Sequence, residues 1–145
     1  MSYFLLMGSP GRRQVLGPYR PDHHAGWLDV DSFSWLAQND STGVGPGKAK
    51  KARLDVWRVS DLASTRLFLH CHAGEGFDLV VLDAWDDKAE RSKVRLEFRD
   101  VIITGCRHDG GMANFTLDFA EIKQVPKPQP LNPTTFKMVL NGVAP

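Results

Sequence analysis

The stretch "WLDVDSFSWLAQND" (27–40) reads as a β-strand whose alternation breaks halfway along. Leu28 and Val30 share one parity, whereas Phe33 and Trp35 share the other. Asp29, Asp31, Ser32 and Ser34, all small and polar, stand between them. Successive side chains of a strand point to opposite faces, so a change of parity demands a bulge or a change of buried face. The stretch therefore predicts a bent sheet with aromatic residues on one face and small polar groups on the other.

Two later segments repeat the device. "KVRLEFRDVIIT" (93–104) buries Val94, Leu96 and Phe98, then slips at Asp100 to Val101 and Ile103. "NFTLDFAEIKQV" (114–125) buries Phe115, Leu117 and Phe119, then slips to Ile122. Bulges bend and twist sheets enough to close them. Around these lie "YFLLMGSPG" (3–11) as the opening strand, "RLDVWRV" (53–59) as a short one, and "FDLVVLDAW" (77–85). The last is apolar on both parities and so is expected to be covered on both faces. "DLASTRLFLHCHAGEG" (61–76) supplies a helix: Ser60, Asp61 or Ser64 can cap its start, and Gly74 suits the left-handed position past its end. Leu67, Phe68 and Cys71 share one face of it.

Residues 9–26, with three prolines and three glycines, read as a long loop, and 39–52 as an exposed extended one. The tail 126–145 reads as a proline-rich segment, "PKPQPLNP", followed by a final strand, "TTFKMVLNG". The expected fold is a single domain over 1–145: a small antiparallel β-barrel of about eight strands with one short α-helix packed against it.

With 145 residues, 42% hydrophobic and 24% charged, the chain can bury a substantial core. A formal net charge of +1 argues against a dedicated nucleic-acid binder, although "KAKKAR" (48–53) is a local basic patch. The N-terminal apolar run is too short for a membrane span or a signal-peptide core, so any export is expected to proceed without a cleaved leader. Two cysteines, Cys71 and Cys106, do not make a disulfide framework and read as reduced thiols.

Chemistry is hard to assemble from these residues. His70 and His72 lie two apart on a helix and point in different directions; His23, His24 and His108 fall in loops and turns. Zinc-site spacings are missing, and no metal or other cofactor is expected. "GVGPGK" (43–48) lacks the phosphate-loop pattern. Cys71 beside His70 and His72 has no geometry for a nucleophile and its base, and Asp86 and Asp87 sit in a solvated turn. Trp27, Trp35, Trp57 and Trp85 read as core packing. The expectation is a protein that is not an enzyme. A monomeric β-barrel that binds a small ligand is the alternative.

The ordered set "YFLLMGSPG", "LDVDSFSW", "GKAKKARLDVWRVSDLASTRLFLHCHAGEGF", "VRLEFRDVIITGCRHDGG" and "NFTLDFAEIKQVPKPQ" resembles the Hcp family, the hemolysin-coregulated proteins of bacterial type VI secretion. The resemblance implies a β-barrel protomer that closes into a hexameric ring. Rings would stack into an inner tube, enclosed by a contractile sheath, tipped by a spike protein of the VgrG type and able to carry small effector proteins in its lumen. It also implies a protein that is cytoplasmic before assembly and is then secreted to the medium or a target cell. In such a ring Ser32 and Ser34 would line the lumen, and Lys48, Lys50 and Lys51 would reach the next ring through their loop.

Overall fold

The computed structural model describes residues 1–10, 15–17, 22–39, 50–126 and 128–142. Its strands are β1 (Ser2–Gly8), β2 (Leu28–Val30), β3 (Ser32–Asn39), β4 (Lys50–Val59), β5 (Gly76–Asp86), β6 (Arg91–Asp109), β7 (Met112–Asp118) and β8 (Glu121–Pro126). Two helices accompany them, α1 (Leu62–Ala73) and α2 (Pro133–Leu140). All strand pairs are antiparallel, in the order β2-β1-β5-β6-β7-β4-β3, with β8 on β6.

The three slips in alternation have two structural meanings. At Asp31 the chain changes partner: β2 pairs β1, β3 pairs β4, and the Asp31 N–H donates to the Trp57 carbonyl (2.9 Å). After Asp118 it changes partner again, from β4 and β6 to the first half of β6 through β8. Only the slip at Asp100 lies within a continuous strand, and there the backbone turns left-handed (φ 54°). β6 thus carries β5 on one edge, and β8 then β7 on the other.

The expected barrel is not closed by hydrogen bonds. β2 and β3 stand at opposite ends of the strand order, joined by the single residue Asp31. One short stretch of chain, broken at Asp31, supplies both ends of the strand order. The sheet is bent back upon itself and tied by its own chain.

Two apolar clusters result. The larger packs Leu5, Leu28, Leu54, Val56, Val80, Leu82, Phe98, Phe115 and Leu117 with Leu67 of α1. The smaller packs Phe4, Leu6, Trp27, Leu79 and Val81 with Phe136 of α2. β1 and β5 lie between them and are buried on both faces, as the unbroken hydrophobicity of 77–85 requires.

α1 begins in a capping box. The Asp61 carboxylate accepts from the Ser64 N–H (3.0 Å), and the Ser64 hydroxyl accepts from the Asp61 N–H (3.3 Å). It ends at Gly74 in the left-handed conformation (φ 69°). The segment 134–142 corrects the expectation of a final strand: it is helix α2 with a short turn after it. Asn132 caps it by accepting the Thr135 N–H (2.8 Å), Pro133 occupies the first turn, and Phe136 and Leu140 share the inward face. The β-branched Thr134 and Thr135 lean toward a strand, but burial of Phe136 overrides them.

Candidate functional site: the polar face of the sheet

Alternation from Phe33 outward divides the β3-β4-β7-β6 half of the sheet into two unlike faces. Inward, Phe33 packs on the larger core and meets Tyr3 edge-on, with ring centroids 5.0 Å apart. Register then carries that row through Val56 and Phe115 to Cys106. Outward, Ser34 is opposite Asp55, Asp55 opposite Thr116, and Thr116 opposite Gly105. The neighbouring row is Ser32, Trp57, Asn114 and Arg107.

Ser32 and Ser34 are both exposed, on the face away from Phe33. Side-chain bonds hold their surroundings in place. Thr116 Oγ1 donates to Asp55 Oδ1 (2.7 Å), Arg53 Nε lies 3.2 Å from Asp55 Oδ2, and Thr104 Oγ1 donates to Asp118 Oδ1 (3.3 Å). Hydroxyls, the carboxylates of Asp55 and Asp118, the Arg53 guanidinium and a glycine make a wettable surface rich in hydrogen-bonding groups.

Trp35 departs from expectation. Its parity is that of Phe33, yet it is 44% exposed, because the core stops short of the far end of β3. Leu36, on the other face, is 45% exposed. Trp57 falls on the polar face and is only half-buried, whereas Trp27 is fully buried and donates its indole N–H to the Leu131 carbonyl (3.1 Å).

The loop expected over 39–52 is shorter than that. Asn39 pairs with Lys50 and Gln38 with Lys51, so both lysines belong by backbone to β4. The ladder continues because Ala37 and Ala52 extend the register set by the buried residues below. Lys48 and the rest of 40–49 lie outside the described residues.

Two buried polar clusters escaped the sequence reading. Arg58, 1% exposed, donates from Nε to the Asp29 carbonyl (3.1 Å) and from Nη2 to Asp29 Oδ1 (3.1 Å) and Asp61 Oδ2 (3.0 Å). Its Nη1 donates to Asp61 Oδ1 (2.6 Å) and Ser64 Oγ (2.7 Å), so all five N–H groups are used. Partial burial pushes the Asp61 carboxyl up, but the Arg58 hydrogen bond, the Ser64 N–H and the Arg58 charge hold it below the usual carboxylate range.

The second cluster centres on Asp83, fully buried amid the apolar run of β5. His24 Nε2 lies 2.6 Å from its Oδ2, Ser92 Oγ donates to the same oxygen (2.6 Å), and Arg95 Nε stands 3.6 Å from Oδ1. His24 also stacks on Phe4, with centroids 4.0 Å apart. The histidine and serine converge on one carboxylate oxygen, an arrangement that satisfies a buried acceptor rather than setting a base against a nucleophile. An aspartate between Leu82 and Ala84, inside the apolar run of β5, was the signal that could have found it.

Bent single sheet, two covering helices and one exposed polar face together define a mainly antiparallel β-protein. The family model described as "Type VI secretion system effector, Hcp" matches residues 5–125, and the chain belongs to that family. Among curated proteins none matches. The fold is similar to that of Hcp1 from Salmonella typhimurium, at 24% identity over 86% of each chain, with a TM-score of 0.67. It is also similar to a double mutant of Hcp1 from E. coli EAEC 042, at 12% identity over 90% of this chain and 95% of that one (TM-score 0.73). A chain of an extracellular contractile injection system, from the PVC sheath-tube complex in its extended state, matches at 11% identity over 86% of this chain and 88% of that one (TM-score 0.53). No helix among the described residues is long and apolar enough to cross a membrane.

Proposed function

We propose that the chain is the inner-tube subunit of a type VI secretion system, closing into hexameric rings that stack and carry small effectors in their lumen. The observation that supports this most is the polar face: Ser34, Asp55, Thr116 and Gly105 form a row across four strands. A passage must be wetted and must not hold its cargo tightly, and small hydroxyl-bearing side chains meet both needs. Ser32 and Ser34 then line the lumen, while the β3–β4 ribbon that carries Lys50 and Lys51, with Lys48 beyond it, reaches the next ring. A spike of the VgrG type and a contractile sheath are the assembly's other parts, and the protein leaves the cytoplasm with the expelled tube.

Light scattering coupled to size exclusion tests the ring, with about six protomers expected for a closed cyclic assembly. A monomer at every concentration would instead select the ligand-binding barrel. Ser34→Gln tests the lumen: hexamer yield should stay unchanged, while co-purification of a lumenal effector falls.

A further inference from the structure

Cys71 and Cys106 are distant in sequence, but the fold sets them on facing elements. Cys106 falls on the inward row of β6, opposite Phe115. Phe115 is where α1 lands: its ring centroid is 5.0 Å from that of Phe68, and Phe68 also meets His108 edge-on at 6.2 Å. Cys71, three residues beyond Phe68 on the same helix face, packs against the larger core. Cys71 and Cys106 thus flank the Phe68–Phe115 contact, one from the helix and one from the strand beside Phe115. Cys106 remains open to solvent, and Cys71 is half-buried.

We infer that Cys71 and Cys106 form a redox-controlled disulfide that staples α1 to β6 when the chain meets a low-molecular-weight disulfide oxidant. The thiolate of Cys106, the accessible partner, attacks one oxidant sulfur and expels the other as a small thiolate. Cys71 then attacks the Cys106 sulfur of the mixed disulfide and expels the second small thiol. Two protein S–H bonds are lost, one S–S bond forms, and the oxidant is reduced to two thiols. Partial desolvation beside the sheet and the neighbouring Cys71 thiol raise the Cys106 thiol to about 11, so the first step is slow at neutral pH and quickens as pH rises. A reducing cytoplasm would keep the pair open, and oxidising surroundings would close it. That timing rests on the export proposed above; the bond itself does not.

The full-length protein, as purified, is incubated with oxidised glutathione. Intact mass should then fall by two hydrogens, both titratable thiols should vanish, and a non-reducing digest should yield one peptide pair joining Cys71 to Cys106. Amide exchange in the last turn of α1 should slow severalfold in the oxidised form. In Cys71→Ser a glutathione adduct should persist on Cys106, because no resolving thiol remains. A wild-type protein that keeps the same adduct, or that crosslinks between chains through Cys106, would overturn the assignment.

Discussion

Arg58 shows what one side chain must do when it is buried with its charge. Its guanidinium joins β2 to β4 and to the start of α1, and each N–H meets an acceptor. Arg58→Ala leaves Asp29 and Asp61 without their counter-charge. Urea unfolding should show a loss of roughly 3 kcal/mol, at the low end for a broken buried pair because Asp29 keeps access to water. Asp61 adds a pH dependence of definite sign. Its folded carboxyl titrates below the unfolded value, so its contribution is complete above about pH 4 and is lost as pH falls through the folded pKa. Asp61→Asn should therefore flatten the acid limb of a stability-against-pH curve; an unchanged limb would assign that limb to other carboxylates. The tryptophans divide in the same way. Trp27→Ala should cost roughly 3–5 kcal/mol in the protomer, whereas Trp35→Ala, at a half-exposed site, should cost under about 1 kcal/mol. Equal losses in chemical denaturation would place Trp35 in the core after all.

Among the elements, α2 is the one most easily misread. Eight residues that open Pro-Thr-Thr carry little helical preference, and the strand-like run TTF invites the other assignment. Asn132 and Pro133 were legible signals of a helix start, but the decisive fact is what Phe136 covers, and that lies at the far end of the sequence. Asn132→Ala should cost about 1 kcal/mol through the lost cap. Phe136→Ala should cost roughly 3–5 kcal/mol, and thermal melts of the two variants should keep that ranking. Strand residues, by contrast, were largely readable, because alternation is local: the burial of Leu96, Phe98, Phe115 and Leu117 follows from parity alone. So does the outward direction of Ser32 and Ser34. What parity cannot reveal is a change of partner, which is why the slips at Asp31 and after Asp118 resembled the one at Asp100. Arg58 and Asp83 stayed hidden for a related reason, since their acceptors and donors arrive from β2, α1, β6 and the turn at His24.

For the whole molecule, if the proposed tube forms, stacking is the property that the β3–β4 ribbon should control. Deleting residues 42–49, which span Lys48, should spare the hexamer yet abolish tube formation and secretion. Wild-type stacking should also weaken as salt rises, since exposed charge pairs are screened beyond roughly 8–10 Å at moderate ionic strength. Full tubes from the deletion variant in electron micrographs would remove the ribbon's tip from the contact. The double burial of β1 has a consequence for how the chain is made. β1 is the earliest described strand to leave the ribosome, and α2, which covers its second face, is the last described helix. Phe4, Leu6 and Trp27 therefore wait, without their α2 cover, until Phe136 has been made. A nascent chain stalled before α2 should expose an apolar patch that a holdase chaperone can recognise, and release from the ribosome should erase it.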